Sequence, residues 1–284
     1  MTAPPPRRWD ALTCAEFAAL DKTRLVAVLP LAATEQHGAH LPLSTDADLA
    51  QAMLHAAERF IPDDVPALFL PIQRLGHSPE HADFPGTLSI SAASLLHSWN
   101  DLAAAVAASG IRKMILFSTH GGNNGLIETL AFSWRQSLKM QVVSVHWERL
   151  PLGDAGNRFD ADERRFGIHA GRIETAMMLA AFPEKVHLDK AENHPSATAD
   201  RAAKNRVLGH GARLAWTARD LHPAGTVGNA AAADAAEGAA LLEAIGQSLA
   251  QLIAETSKLP PLRSASTATR RAGLRPAASA NNVQ

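Results

Sequence analysis

The sequence predicts an α/β fold, a three-layer α/β/α sandwich built around a mostly parallel sheet. Two observations lead to this prediction. Short apolar runs with the length of buried strands alternate along the chain with longer segments in which apolar residues recur at helical spacing. Strands separated by helices are typical of βαβ units, whose crossover helices cover both faces of a parallel sheet.

The predicted strands are apolar runs between turn signals. The first run is almost continuously apolar, which is typical of a strand that is buried on both faces of a parallel sheet. A short extended segment after the turn signal at Pro85 and Gly86 completes the set. In chain order, the predicted strands are 24–32, 65–72, 113–118 and 142–147, with the extended segment at 87–90.

The predicted helices carry apolar residues along one face. In the second of them, Leu95, Trp99 and Val106 recur at helical spacing. Gly110 then stands where a C-terminal cap belongs. The last helix is rich in alanine. In chain order, the predicted helices are 46–60, 91–109, 126–138, 173–181 and 231–257.

The chain length of 284 residues is sufficient for one large α/β core. We predict a single catalytic domain over residues 8–258. From Pro260 onward the sequence is rich in Pro, Ser, Ala and Arg and lacks Asp and Glu, a composition typical of disorder. We therefore predict a disordered tail over 259–284, with a basic arm as the alternative interpretation.

The composition argues against several classes of protein. The formal net charge is −1, whereas proteins that bind nucleic acid or membrane surfaces usually carry a basic excess. Cys14 is the only cysteine, which excludes an intrachain disulfide and a thiolate cluster as a metal site. No apolar run approaches the ~20 residues of a membrane span, and no signal peptide is visible. We expect a cytoplasmic protein that binds neither nucleic acid nor membrane.

The most informative cluster of polar residues directly follows the first predicted strand. Glu35 and His37 are two residues apart, so in an extended chain their side chains point to the same side and can reach one ion. Carboxylates and imidazoles are ligands for divalent metals, and open parallel sheets bind ligands at the carboxyl ends of their strands. Asp46 begins a predicted helix, so it can be an N-cap, a ligand or both.

A second cluster follows the third predicted strand. His120 is expected at the same sheet edge as the first cluster, because it too comes directly after a core strand. Gly121 and Gly122 keep the space beside the histidine open, and Asn123 follows them. A Gly-Asn turn with an uninvolved histidine is the alternative interpretation.

Two further segments carry candidate residues. Glu174 lies at the start of a predicted helix, where the helix dipole favours its ionised form, and a capping role is the alternative. His169 can donate or accept a proton near neutral pH, unless it is merely solvated. The polar loop 76–87, which contains Ser78, is interpreted as a substrate-facing loop or as an uninvolved surface loop.

Together these segments resemble the creatininase family of amidohydrolases. Five motifs in collinear order, spanning roughly residues 8–257, make the resemblance specific. The matching residues are Glu35, Gln36, His37, Gly38, His40, Leu41, Pro42, Thr45 and Asp46, then 84–88, 120–123, His169, Ala170, Gly171, Glu174 and Thr175, and finally 216–220 with Gly225 and Gly228.

The resemblance implies a creatininase-like three-layer fold, assembly as a homo-oligomer, often a hexamer, and one or two divalent ions per subunit. The ion is Zn²⁺, Mn²⁺ or Fe²⁺ in different members of the family. Carried onto this sequence, the resemblance implies four metal ligands, with Asp46 bridging where two ions are bound. The implied ligands are Glu35, His37, Asp46 and His120.

The activity that the resemblance implies is hydrolysis of a non-peptide C–N bond, in a cyclic amide or formamide of a small molecule, by metal-activated water. We predict that His169 and Glu174 transfer the protons. The residues predicted to bind substrate are Ser78, Gly121, Gly122 and Asn123. The alternatives are a lactonase or peptidase of the same fold, or a non-catalytic metal-binding relative.

Creatinine itself is not the expected substrate. The creatinine-cleaving members carry an aromatic residue and a glutamate after the histidine of the second cluster, where this sequence has Gly121 and Gly122. The missing glutamate puts a tightly held second ion in doubt. The Gly-Gly form is more similar to the deformylase and mycofactocin-associated branches, one of which acts on a peptide C-terminus.

Overall fold

A computed structural model describes residues 7–208, 210, 212 and 214–262. Its centre is a parallel four-stranded sheet with the strand order β2-β1-β3-β4. A separate two-stranded antiparallel ribbon pairs β5 with β6. The strands are β1 (Val26–Leu31), β2 (Ala67–Phe69), β3 (Lys113–Ser118), β4 (Gln141–His146), β5 (Asn193–His194) and β6 (Gly228–Asn229).

Helices connect the strands and cover the sheet. Two 3₁₀ turns also bear on the site, at Pro79–His81 and Gly121–Asn123. The α-helices of the described residues are α1 (Cys14–Ala19), α2 (Thr45–Glu58), α3 (Ala92–Ala108), α4 (Asn124–Ser137), α5 (Gly153–Gly156), α6 (Ala161–Phe166), α7 (Arg172–Ala181), α8 (Ala197–Lys204), α9 (Ala218–Leu221) and α10 (Ala235–Lys258).

The predicted three-layer α/β/α sandwich is confirmed by the way the strands divide their side chains. Val26 and Val28 of β1 face one core, which they share with α2, α7 and α10. Ala27 and Leu29 point to the opposite face and pack with α3 and α4. All four side chains have no exposed surface, so β1 is buried on both faces and its sequence is continuously apolar for that reason.

Helix α10 holds in place the two helices that carry acidic residues of the candidate site. Its apolar face, with Ile245, Leu249 and Ile253 at four-residue spacing, is fully buried. A Cβ on Gly246 would lie 2.7 Å from Ala56 of α2, so only glycine permits this close approach. Gly238 packs against the backbone of α7 in the same way. The positions of α2 and α7 therefore depend on small residues in α10.

The long elements match their predictions, and the short ones do not. The second predicted strand contracts to the three residues of β2, and the segment 87–90 forms no strand. That segment is extended, with Leu88 donating to the carbonyl of Thr34 and Ile90 to that of Gly76. Helices α1, α5, α6, α8 and α9 were not predicted, because four to eight residues are too few to show an apolar period.

The termini lie largely beyond the described part of the chain. Helix α10 ends at Lys258, and the predicted tail is outside the described residues from position 263 onward. The single domain over 8–258 and the disordered tail stay predictions. Within the described residues, no helix is both long and apolar enough to cross a membrane.

Candidate metal centre

The carboxyl edge of the sheet gathers the polar residues that follow its strands. Glu35 and His37 come after β1, and His120 comes directly after β3. Asp46 is the second residue of α2 and projects from the helix start into the same region. These four residues are at most 3% exposed. Glu174, in the first turn of α7, approaches the same group near His37.

Asp46 is the central carboxylate of this group. Its Oδ1 lies 3.3 Å from Nε2 of His37, and its Oδ2 lies 3.3 Å from Nδ1 of His120. His120 Nδ1 is also 3.2 Å from Oε1 of Glu35, and His37 Nε2 is 3.9 Å from Oε2 of Glu174. Asp46 makes no N-cap contact, because Ser44 holds that position. The structure therefore excludes a purely capping role for Asp46.

Among the described residues, three overlapping sets of side chains each bring their ligand atoms within 4.8 Å of one another. Asp46 belongs to two of them, and Glu35 belongs to two. Such sharing is the arrangement that a bridging carboxylate between two ions would need. The sets are Glu35, Asp46 and His120, then His37, Asp46 and Glu174, and finally Glu35, His37 and His169.

Three buried atoms of this cluster lack a hydrogen-bond partner among the described residues: Glu35 Oε2, His37 Nε2 and Asp46 Oδ2. A buried polar atom without a partner costs about 1–3 kcal/mol, so such atoms are rare in folded proteins unless something else binds them. Carboxylate oxygen and imidazole nitrogen are suitable ligands for a divalent cation. The residues present therefore fit a divalent metal ion.

The outer nitrogens of three histidines strengthen this fit. His37 Nδ1 lies 3.1 Å from the carbonyl oxygen of Glu35, and His120 Nε2 lies 2.9 Å from that of His77. His169 Nε2 lies 2.7 Å from the carbonyl oxygen of Gln36. A carbonyl only accepts, so each outer nitrogen carries a hydrogen, and the inner nitrogen is the one left to bind a cation after it releases any proton of its own. Metal-ligating histidines typically have this arrangement.

A cavity of about 780 Å³ opens over the cluster. Its size suits a small molecule, since ligand pockets usually measure roughly 300–1,000 Å³. Its floor includes acidic residues and histidines of the cluster, and its outer wall includes residues of α8 and of the segment that follows it. The predicted site residues that line it are Glu35, Asp46, His120, Gly121, Gly122, His169 and Glu174.

The sequence model of the creatininase family, described as creatinine amidohydrolase, matches residues 10–253. The chain belongs to the creatininase family. It is thus an amidohydrolase-family member with a metal-dependent hydrolase fold.

Two curated relatives and one solved structure support this assignment. The chain is 30% identical over 197 residues to creatinine amidohydrolase of Pseudomonas putida, covering 61% of this chain and 70% of that protein. It is 32% identical over 216 residues to mycofactocin precursor peptide peptidase of Mycobacterium ulcerans (strain Agy99), covering 74% and 77%. A mutant creatininase of Zn-Zn type has a TM-score of 0.71 at 25% identity, covering 90% and 100%.

The pKa values of His37 and Glu174 in this creatininase-family centre are shifted by burial and by the charged side chains around them. Burial by itself lowers the pKa of His37, but the carboxylates of Asp46 and Glu174 outweigh burial and raise that pKa to about 9. Burial raises the pKa of Glu174 to about 7, against the influence of His37. A carboxyl group with that pKa can hold or release a proton near neutral pH.

Two residues that were predicted to bind substrate, Ser78 and Asn123, do not line the described part of the cavity. Ser78 is fully buried, and its Oγ contacts Nε2 of His120 at 3.2 Å, behind the ring. Asn123 is also fully buried: its Oδ1 accepts from the N–H of His77, and its Nδ2 donates to the carbonyl of Ala32. Within the described part of the chain, neither lines the cavity. Both instead hold the loops that carry His120.

Several cavity residues were not assigned a role from the sequence, among them Glu80, His81 and His146. Glu80 and His81 belong to the polar loop after β2, and His146 is the last residue of β4. Burial lowers the pKa of both histidines to about 4. His146 could have been found from its place at the carboxyl end of a strand next to β3. Glu80 and His81 lie within the loop 76–87, which was interpreted as substrate-facing, but no pattern within that loop distinguishes them from its other polar residues.

Proposed function

We propose that this protein is a metal-dependent amidohydrolase that cleaves a non-peptide C–N bond of a small molecule, a cyclic amide or a formamide. The observation that carries the proposal is the position of Asp46, whose two oxygens each lie 3.3 Å from an imidazole nitrogen at the floor of a cavity. The creatininase-family membership supports the reaction class. Zinc, manganese and iron are the candidate ions; among the similar creatininases, one is of Zn-Zn type and another is described with Mn.

We assign the primary ion to Glu35, Asp46 and His120, whose ligand atoms form one of the compact sets. His37 shares Asp46 with that set and faces a second position toward Glu174. When bound, a divalent ion lowers the pKa of a coordinated water from about 15.7 to ~7 and polarises a carbonyl group. The lone pairs of the inner histidine nitrogens and the buried carboxylates make this edge of the sheet suitable for such an ion.

The proton transfers are assigned to His169 and Glu174. His169 presents an unprotonated Nδ1 toward Glu35 Oε1, at 3.7 Å, and can accept a proton at that atom from the attacking water. Glu174, with its pKa of about 7, can deliver a proton from its carboxyl group to the departing nitrogen. A positioned acid or base of this kind typically contributes 10²–10⁴-fold in rate, as an order of magnitude.

The glycine pair contributes backbone donors on the opposite wall. Gly121 and Gly122 line the cavity and are the first two residues of the 3₁₀ turn Gly121–Asn123, and the first N–H groups of a helical turn have no partner within that turn. Their N–H groups can therefore stabilise negative charge on the carbonyl oxygen. Ser78 and Asn123 take a supporting role in this proposal, because their polar atoms bind the loops around His120.

A peptidase is the second candidate function. The observation in its favour is the identity of 32% to mycofactocin precursor peptide peptidase, over 74% of this chain. A cavity of about 780 Å³ can admit the end of a peptide as well as a small amide. A lactonase uses the same activated water, and its product would be a hydroxy acid instead of an amine or formate.

The test combines elemental analysis with a substrate panel of formamides, cyclic amides, lactones and short peptides. We expect stoichiometric metal in the purified protein and turnover of a formamide or cyclic amide. Asp46→Ala is expected to lose both the metal and the turnover. Full activity of metal-free Asp46→Ala would contradict the proposal, and cleavage of peptides alone would favour the peptidase.

The cellular location and the oligomeric state of the protein are also part of the proposal. We propose a cytoplasmic homo-oligomer, with a hexamer favoured by the family resemblance. Light scattering coupled to size-exclusion chromatography measures the mass directly. A monomer at micromolar concentration would contradict the hexamer without affecting the proposed chemistry.

A further inference from the structure

We infer that His81 is a neutral hydrogen-bond donor to the substrate, with its hydrogen on the nitrogen that faces the centre, whereas the other three histidines of the cluster direct a hydrogen outward to a backbone carbonyl. The inference rests on the proposed function for the identity of the acceptor, and on the geometry around Gln36 for the orientation. His81 is 2% exposed and lines the cavity beside Glu35. The proposed reaction does not otherwise use it.

The amide of Gln36 has a single consistent orientation. Its Oε1 accepts from the backbone N–H of Gly38 at 3.0 Å, and its Nε2 donates to the carbonyl oxygen of Gly225 at 2.7 Å. Exchanging the amide oxygen and nitrogen would place two acceptors together at Gly225 and two donors together at Gly38. Both contacts involve backbone groups whose roles cannot change. Nε2 of Gln36 is therefore a donor with one hydrogen left to give.

That remaining hydrogen points to His81. Gln36 Nε2 lies 2.9 Å from Nδ1 of His81 and 3.2 Å from Nε2 of His169. The His169 nitrogen cannot accept, because it already donates to the carbonyl of Gln36 at 2.7 Å. His81 Nδ1 is the acceptor, which makes the ring neutral and puts its hydrogen on Nε2. His81 thus has no lone pair on the side of the centre and cannot be a metal ligand there.

The Nε2–H group of His81 is directed at the floor of the cavity. It lies 3.5 Å from Oε1 of Glu35, well beyond the usual N–H···O distance of about 2.9–3.0 Å. The ring stacks on that of His169 with 4.1 Å between centroids, which fixes its plane. A donor held in place and not fully used by the protein can bind an oxygen that enters the cavity. We assign that oxygen to the attacked carbonyl of the substrate, where negative charge develops.

Two measurements test the inference. The first is a long-range ¹H–¹⁵N correlation spectrum of the histidine side chains in the whole protein, with His81→Phe used to assign the signals. We expect Nε2 to carry the proton of His81. We also expect Nε2 to carry a proton in His120 and His169, where it faces a backbone carbonyl oxygen. A His81 proton on Nδ1 would overturn the inference, whether or not the protein hydrolyses any amide.

The second measurement uses inorganic phosphate as a tetrahedral oxyanion, bound to Mn²⁺-loaded protein and followed by calorimetry. His81→Phe keeps an aromatic ring against His169 but removes the donor. We expect its phosphate affinity to fall tenfold or more, its Mn²⁺ affinity to change less than twofold, and its kcat on any substrate found to fall roughly 10²–10³-fold. His55→Phe, on the exposed face of α2, is the control and should match wild type in all three.

The outcomes separate this inference from the proposed function. Equal phosphate affinity of wild type and His81→Phe, including no binding by either, would overturn the role of His81 while leaving the metal site intact. Loss of Mn²⁺ from His81→Phe would make His81 a ligand and also overturn it. A protein that binds Mn²⁺ and phosphate as expected but cleaves no amide would contradict the proposed function alone.

Discussion

The carboxylate of Glu80 occupies space that a side chain at position 122 would need. A Cβ on Gly122 would lie 2.6 Å from Oε1 of Glu80 and 2.5 Å from Nε2 of His120, and it would overlap the carbonyl oxygen of His77. Glu80 Oε1 is itself 3.9 Å from His120 Nε2 and lines the cavity. Glycine at this position therefore leaves room for the carboxylate of Glu80 beside the outer nitrogen of His120.

We predict that Gly122→Ala damages the site. The His77 oxygen is backbone and cannot rotate away, so the loop that holds His120 must shift. We expect metal affinity to fall at least tenfold, measured by competition with a metal-sensitive dye. Gly125→Ala is the matched control, because a Cβ there meets nothing within 4 Å. Unchanged affinity in Gly122→Ala would mean that the loop adapts without disturbing His120.

Metal binding should stabilise the protein strongly. A cation would bind the buried atoms that lack partners in Glu35, His37 and Asp46. At a free metal concentration of 100 times Kd, the stabilisation is about 2.7 kcal/mol, which corresponds to a rise in Tm of roughly 5–10 °C for a chain of this size. Thermal denaturation with Zn²⁺ or Mn²⁺ and with a chelator measures it. Asp46→Ala should show no shift, and a shift of equal size in that variant would point to metal binding elsewhere.

The parts of the fold and site that could be predicted are those governed by one strand or one long helix. β1 and residues 114–117 of β3 are buried on both faces, so they are continuously apolar. The polar residues that follow them meet because parallel strands end at the same edge of a sheet. His120 could thus be assigned to the same edge as Glu35 although 84 residues lie between them in the chain.

The parts that could not be predicted depend on contacts between distant loops. The orientation of His81 is set through Gln36 by the carbonyl of Gly225, and 189 positions separate the last two residues. Asn123 has an amide side chain of the kind that binds substrates, but both ends of that amide already have partners. Its Oδ1 accepts from the N–H of His77, and its Nδ2 donates to the carbonyl of Ala32, just after β1. A sequence pattern shows which polar groups are present, and only the folded structure shows which hydrogen-bond partners they have.

Glu174→Gln distinguishes a proton-transfer residue from a ligand. Glutamine has the same shape but cannot deliver a proton with a pKa near 7, so we expect kcat to fall roughly 10²–10⁴-fold. Metal content at Glu35, Asp46 and His120 should stay at one ion per subunit by elemental analysis. A fall from two ions to one on the same substitution would instead show that Glu174 ligates a second ion with His37.

The last prediction concerns Glu163, a buried carboxylate outside the centre. Its Oε1 accepts from the N–H of Arg172 at 2.6 Å, and its Oε2 accepts from that of Asn229 at 2.9 Å. It therefore joins the start of α7 to β6. Its carboxylate also fills space left by glycines: a Cβ on Gly228 would lie 2.6 Å from Oε1, and Gly171 is closer still. These contacts fix the segment between His169 and Glu174.

Removing that carboxylate should loosen the segment. Glu163→Gln places an amide NH₂ against one of the two backbone donors, which costs about 1–3 kcal/mol, and Glu163→Ala leaves both donors without a partner and costs about twice as much. Urea unfolding measures the loss, and the exposed neighbour Asp162→Asn should stay within about 0.5 kcal/mol of wild type. We also expect kcat to fall in Glu163→Ala at temperatures where the variant is fully folded, because His169 and Glu174 lose their fixed spacing. A variant that is as active as wild type and equally stable would show that Gly171 and Gly228, and not the carboxylate, hold this loop.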